Sequence, residues 1–222
     1  MRIDIWSDIV CPWCYIGKRR FERALDAFAH RDQVEIVHRS FQLDPSSVPG
    51  QVRDHRANLM TKYGMSDAQA LAAQVKMEET AAGEGLEFRL QGGVTGNTID
   101  AHRVVHLARA RGVQERVIER LYRAHFTEQR SIFDRDSLVT LAVDAGLEAE
   151  EVRRVLDEGT YADAVREDNQ QARAYGASGV PFFVIDSRYG VSGAQPTEVF
   201  ADALARAAAT TLPAAVRIQP IK

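Results

Sequence analysis

Polar and apolar residues alternate from Arg2 to Ser7, with Ile3 and Ile5 on one side, and this period of two predicts a short strand. After Cys11 and Cys14 the period changes. Gly17, Phe21, Leu25 and Phe28 recur at helical spacing while Lys18, Arg19, Arg20 and Glu22 cover the other face, so a helix is expected to about His30. Alternation returns over 34–43, with Val34, Ile36 and His38 on one parity and Glu35, Val37 and Arg39 on the other. Strand, helix and strand within this length make one βαβ crossover, normally right-handed with its strands parallel.

Turn formers then break the pattern at Asp44-Pro45-Ser46-Ser47-Val48-Pro49-Gly50. From 51 to about 175 the residues predict helices and no strand, at 53–63, 66–83, 100–111, 114–129, 134–145, 148–157 and 161–175. Ser66-Asp67, Asp134-Arg135-Asp136 and Thr160 stand where N-caps belong, and Gly64, Gly112, Gly146 and Gly159 where helices should stop. The glycine-dense stretch 91–98 interrupts this block. Next, 181–185 reads as a buried strand, Asp186-Ser187-Arg188 as a turn, and 189–193 as the partner strand of a hairpin. A last helix opens at 195–198, with Pro196 in its first turn and Val199, Phe200, Ala203 and Leu204 facing inward. The expected order is βαβ, a long all-helical block, then ββα, followed from Thr211 by a loosely ordered tail.

Composition removes several functions. The 222 residues carry 28 Lys+Arg against 31 Asp+Glu, a net charge of −3, which gives no global electrostatic case for a nucleic acid or an anionic membrane as partner. At 45% apolar and 27% charged residues the chain reads as an ordinary globular protein with ample core and no need of disulfide stapling. No run approaches the roughly 18 apolar residues of a membrane span. Asp4 and Asp8 interrupt the apolar stretch a signal peptide would need, so a cytoplasmic protein without an export signal is expected.

The two cysteines change the picture because of where they stand. Cys11 falls at an N-cap, where its sulfur can accept from free backbone N–H groups, and Pro12 at the first helical position, where its missing N–H costs nothing. The partial positive charge of the helix start favours a thiolate at Cys11. Trp13 brings no cation, so that stabilisation falls to backbone donors. Cys14, one turn deeper, can close a disulfide with Cys11 and resolve a mixed disulfide formed there.

The same spacing supplies half of a structural zinc site, and His102 and His106 stand four apart on a predicted helix. The competing readings make these histidines polar contacts of the helix, or put one near the thiols to tune them. A CxxC after a strand in a βαβ context points to redox chemistry with no metal. Pro181 cannot donate to a sheet ladder and belongs at a strand start, as an ordinary turn proline or as a cis residue facing the Cys11 helix. A cis bond there would leave Val180 backbone groups free to pair with an extended substrate. Asp4 and Asp8 flank the pair as candidate proton shuttles for Cys14, or as capping and surface groups.

Three separated stretches, Ser7-Asp8-Ile9-Val10-Cys11-Pro12-Trp13-Cys14-Tyr15-Ile16-Gly17, Asn97-Thr98-Ile99-Asp100-Ala101-His102-Arg103 and Ser178-Gly179-Val180-Pro181-Phe182-Phe183, resemble the DsbA family of thioredoxin-fold oxidoreductases. The resemblance covers nearly the whole chain and is greatest to the cytoplasmic FrnE-like branch. That branch shares its fold with 2-hydroxychromene-2-carboxylate isomerase and kappa-class glutathione transferase. The resemblance implies an α/β, thioredoxin-like fold (βαβ…ββα) interrupted by a large all-helical insertion. Its domains would be a discontinuous thioredoxin-like domain at 1–50 and 165–210, the insertion at 51–164 and a tail at 211–222.

The resemblance further implies Cys11 as nucleophile, Cys14 as resolving thiol, Pro12 and Trp13 in support, and cis-Pro181 facing them. It implies a substrate groove bordered by Val180, by Asn97 at the end of the 93–97 loop, and by Gly193, Ala194 and Gln195. His102 and Asp8 are the candidates for tuning the thiols. In the isomerase and transferase relatives a serine typically stands in place of Cys11, and the presence of both cysteines here favours disulfide exchange. Some FrnE-like proteins carry a second cysteine pair near the C-terminus; this chain has none, which leaves no internal thiol relay. No prosthetic group or metal is implied. The redox centre is the Cys11–Cys14 disulfide, with glutathione or another low-molecular-weight thiol as co-substrate and a protein or small-molecule disulfide or dithiol as partner. The state expected is monomer or homodimer. The alternative activity is a low-molecular-weight-thiol-dependent isomerase or transferase acting on an aromatic or polyketide-type substrate. The branch is named from a polyketide antibiotic cluster, so a biosynthetic role stays open by analogy.

Overall fold

The computed structural model describes residues 1–211, so the expected tail lies outside the described residues apart from Thr211 itself. In chain order the elements are β1 (Arg2–Ser7), α1 (Pro12–Asp26), β2 (Glu35–Ser40), β3 (Val52–Asp54), α2 (His55–Tyr63), α3 (Asp67–Gly83), β4 (Val94–Gly96), α4 (Ile99–Ala110), α5 (Gln114–Phe126), α6 (Arg135–Asp144), α7 (Ala149–Glu158), α8 (Ala162–Ala174), β5 (Phe182–Ile185), β6 (Tyr189–Ser192) and α9 (Thr197–Thr211). The result is a mixed α/β, thioredoxin-like fold whose small sheet is interrupted in sequence by a long helical block.

The main sheet runs β2-β1-β5-β6. β1 pairs parallel with β2, Arg2 opposite Glu35 through Ser7 opposite Ser40, and antiparallel with β5, Ile3 opposite Ile185 through Trp6 opposite Phe182. The β5–β6 hairpin closes through Asp186 and Ser187, both at positive φ (49° and 56°), with the Arg188 N–H on the Ile185 carbonyl at 3.0 Å, the backbone of a type I′ turn. One face of the sheet carries Ile3, Ile5 and Phe183 against Phe21 of α1 and Phe200 of α9. Phe183 and Phe200 meet edge to face at 4.7 Å, and each such buried ring contributes about 1.5–3 kcal/mol. The other face carries Trp6, whose indole N–H donates to the Asp168 carbonyl of α8 at 2.8 Å.

The free edge of β2 is occupied by side chains. Gln114 Oε1 accepts from the His38 N–H at 3.1 Å while its Nε2 donates to the His38 carbonyl at 3.0 Å. Asp168 accepts from the Ser40 N–H and Asn169 from the Gln42 N–H, each at 2.9 Å.

The helical block has a core of its own making, yet that core is continuous with the start of α1. Ile9, Cys11, Cys14, Tyr15 and Ile16 share one apolar cluster with Val104, Leu121, Leu138 and Leu156. Tyr15 stacks on Tyr122 at 4.8 Å. Among the described residues no helix is long and apolar enough to cross a membrane.

Several expectations are corrected. Residues 51–175 do contain strands: β3 and β4 pair antiparallel, Val52 opposite Gly96 and Asp54 opposite Val94. Three-residue strands, with β3 wholly exposed, leave no alternation to read. A Cβ on Gly96 would meet the Gln51 carbonyl oxygen at 2.7 Å, so the pairing needs glycine there. Helix α1 stops at Asp26 instead of His30, and α5 stops at Phe126 instead of residue 129. Ser66 and Asp134 cap as expected, Ser66 in a full capping box, but Tyr161 and not Thr160 precedes α8. Pro196 lies just before α9, and Val199 is exposed.

The polar face of α1 is also not a solvent face. Lys18 is 6% exposed, held by Glu22, by Glu115 at 2.5 Å and by Glu119 at 3.0 Å, because α5 packs on that side. These carboxylates hold the Lys18 ammonium above its ordinary pKa despite burial, and Lys18 and His38 together hold Glu115 far below the usual carboxylate range.

Candidate active site

Strand β1 ends at Ser7 and the chain turns into α1 through Asp8, Ile9 and Val10. Cys11 is the N-cap, extended at φ −92° and ψ 110°, and Pro12 takes the first helical position. The Cys11 sulfur makes no capping bond to the helix. Its thiol donates instead to the Val180 carbonyl at 3.6 Å. The Val180–Pro181 peptide bond is cis. A Cβ on Gly17 would stand 2.9 Å from Pro181 Cγ and 3.3 Å from Ala194, so glycine lets α1 lie directly on this segment.

Cys14 lies one turn behind, 2% exposed. Burial first, and hydrogen bonding with Cys11 second, push its thiol well above the ordinary cysteine value. Asp8 is buried under the pair. Its carbonyl accepts from the Cys11 N–H at 3.1 Å, and its carboxylate takes the Leu43 N–H at 2.8 Å and stands 3.2 Å from His102 Nε2. Asp4 is elsewhere. Arg2 and Arg39 bind it on the α8 side of the sheet, so its proposed place beside the thiols is withdrawn. His106 is likewise engaged away from Cys14, 3.0 Å from Asp168. The two histidines thus serve two different acids, and among the described residues no group of three or more His, Cys, Asp or Glu is placed to hold a metal ion.

Cys11 faces a cavity of about 410 Å³, whereas Cys14 does not line it. Pro12, Trp13, Gly179 and Val180 border the thiol end, and α2 and α3 close the far end with His55, Leu59, Tyr63, Gln74 and Met77. Trp13, Leu43 and Tyr63 are exposed apolar groups at this cavity. Arg53 and Lys62 are its cations, Arg53 already paired with Asp44 at 2.7 Å.

Other expected groove residues are placed differently. Asn97 does not line the cavity. Its amide clasps the Ser47 carbonyl at 2.5 Å and takes the Ile99 N–H at 2.8 Å, which ties the 44–50 turn to the start of α4; Thr95 and Gly96 line the cavity instead. Gly193, Ala194 and Gln195 lie outside it too. The Gly193 N–H donates to the Pro181 carbonyl at 2.8 Å, Arg20 binds the Ala194 carbonyl at 2.6 Å, and Gln195 bonds Ser192 at 2.7 Å. They support Pro181 from behind.

Sequence reasoning missed most of the α2–α3 wall. His55, Leu59 and Gln74 have no motif, and the one available signal was Gln74 on the stripe Ala70-Gln74-Met77-Ala81, a polar group on a helix face that is otherwise apolar and partly buried.

The model of the DSBA-like thioredoxin domain matches residues 2–205. The chain belongs to the DSBA-like thioredoxin domain family. It is 52% identical to a probable DsbA oxidoreductase from Streptomyces coelicolor, with a TM-score of 0.92 over 97% of this chain and 93% of that one. Two more distant structures share the fold: a cytosolic disulfide reductase, DsbM from Pseudomonas aeruginosa, solved with GSH (19% identity, TM-score 0.65, 93% and 98% covered), and a 2-hydroxychromene-2-carboxylate isomerase (15%, TM-score 0.62, 93% and 95% covered). The family is one of DsbA-like thiol–disulfide oxidoreductases, which act on disulfide-containing substrates through a disulfide/dithiol pair.

Proposed function

We propose that the protein is a thiol–disulfide oxidoreductase that exchanges directly with external thiols through Cys11 and Cys14. The Cys11 thiolate attacks one sulfur of a substrate disulfide, forming a mixed disulfide and releasing the other half as thiolate. Cys14, deprotonated, then attacks Cys11 Sγ. The Cys11–Cys14 disulfide forms, the second substrate thiolate leaves, and two electrons have passed to the substrate. Glutathione or another low-molecular-weight thiol returns the pair to its reduced state, two equivalents being oxidised; the reverse sequence oxidises a dithiol. No other cysteine stands in the chain to relay electrons. The observation that carries this reading is the division between the two thiols: Cys11 lines the cavity and Cys14 is buried behind it.

Asp8 and His102 are proposed as the groups that adjust the proton on Cys14, since Asp8 underlies the pair and His102 holds it. The cytoplasm is the proposed location, where such exchange meets a reducing thiol pool.

The decisive measurement equilibrates the protein in glutathione buffers of defined ratio and quantifies the Cys11–Cys14 disulfide after acid quenching. A pair that oxidises reversibly gives its potential and hence its direction. A protein that forms neither this disulfide nor a Cys11 mixed disulfide would end the proposal.

The cavity favours one second reading, a thiol-dependent isomerase or transferase for a small aromatic substrate, because a volume of about 410 Å³ with apolar walls suits such a molecule. Cys14→Ser separates the two: disulfide turnover stops, whereas thiol-dependent isomerisation continues.

A further inference from the structure

Gln74 is 1% exposed and forms part of the wall of the thiol cavity. Its amide cannot be turned around. Nε2 donates to the Leu90 carbonyl at 3.0 Å, a group that only accepts, and to His55 Nδ1 at 2.9 Å. Nδ1 accepts in the tautomer that carries the ring proton on Nε2, and burial, by lowering the His55 pKa, favours the neutral ring. Oε1 is thereby fixed on the other side, and it is the one buried side-chain oxygen or nitrogen among the described residues with no hydrogen-bond partner. A buried acceptor without a donor is unfavourable in a folded protein and calls for an explanation. Of the cavity's lining side chains that can donate, Arg53, Asn58, Lys62, Tyr63 and Thr95 among them, none bonds Oε1.

We propose that Gln74 is a specificity residue for the body of the substrate. Its Oε1 accepts a hydrogen bond from an N–H or O–H group on a small, largely apolar molecule whose sulfur is held at Cys11. The inference rests on thiol exchange at Cys11 and adds what the rest of the cavity selects. Oε1 has almost no surface open to water, so a donor reaches it as the side chains around it give way, and a molecule lacking the donor leaves it unpaired.

The test uses the full chain carrying Cys14→Ala, in which Cys11 attacks a disulfide, keeps one half as a mixed disulfide and releases the other as an arylthiolate. The probes are bis(4-acetamidophenyl) disulfide, which carries an amide N–H, and bis(4-acetoxyphenyl) disulfide, its ester counterpart without one. Arylthiolate release gives the rate for each, and the amide/ester ratio is divided by the same ratio for free glutathione to remove intrinsic reactivity. The expected corrected ratio is about tenfold in favour of the amide, the worth of one neutral hydrogen bond. In Gln74→Met, similar in volume and without an acceptor of that kind, it falls to about one. A corrected ratio of one with Gln74 intact overturns the inference without any variant, and so does a preference that survives in a folded Gln74→Met. If neither probe modifies Cys11, the redox reading itself fails, and that outcome is visible separately as unmodified protein by mass.

Discussion

The Cys11 thiol donates to the Val180 carbonyl across 3.6 Å, joining the start of α1 to the segment before β5 although 169 residues separate them. Two loops far apart in the chain therefore meet at the Cys11 sulfur.

Both cysteines are buried, at 5% and 2% exposure, but Cys11 lines the cavity and Cys14 does not, so alkylation has an order. Iodoacetamide should label Cys11 first and Cys14 only after unfolding, because Cys14 is both enclosed and held protonated. Cys14→Ser should trap Cys11 mixed disulfides, and Cys11→Ser should abolish exchange. Mass spectrometry after timed quenching reads each result; preferential labelling of Cys14 would contradict the assignment.

Gly17→Ala places a methyl against Pro181 and Ala194, neither of which has a flexible end to move aside. Destabilisation of about 1–3 kcal/mol is expected from the overpacking, with slower exchange because the Val180–Pro181 segment is displaced from Cys11. Urea unfolding and thiol-exchange rates on one preparation check both effects.

Removal of the Asp8 carboxylate leaves the Leu43 N–H and His102 without their partner. Asp8→Ala should cost about 1–3 kcal/mol of stability. It should also shift the pH profile of the step in which Cys14 attacks the mixed disulfide, a change that a purely structural role would not produce. An unchanged profile would remove Asp8 from the proton path.

His125 on α5 packs its ring against Phe126 and Phe133, and burial first, then the nearby His55, push its pKa down to about 4 from 6.5. The unfolded chain takes up this proton near pH 6.5 and the folded chain only near pH 4, so the unfolded state binds more protons in between. Stability from this site is full above pH 6.5 and declines as pH falls toward 4, by at most about 3 kcal/mol. Urea midpoints at pH 7 and pH 5 should separate in the wild type and draw together in His125→Phe.

Much of the scaffold was legible in the residues. The βαβ start, the hairpin and most helices announce themselves by period and by caps such as Ser66 and Asp134, because burial on one face imposes those patterns locally. The candidate cysteine pair was legible for the same reason, since a strand, Cys11, Pro12 and a helix are contiguous. What escaped was set by groups distant in sequence. Lys18 looks like a solvent charge until α5 is laid against it, and β3 exists only because β4 reaches it. Asn97 and Gln195 sit in the right motifs yet hold turns together, while Gln74 and His55, with no motif at all, reach the cavity. Short local spacing cannot show which polar group another helix will enclose.

The amide of Gln114 on the rim of β2 has a consequence for solubility. Donating and accepting at His38 in the manner of a neighbouring strand, with Asp168 and Asn169 continuing the row, it gives the outermost strand a counterfeit partner. A bare strand of this kind is a template on which a foreign extended chain can register. Here much of that template is already filled from within, so this rim leaves a foreign extended chain little to register on.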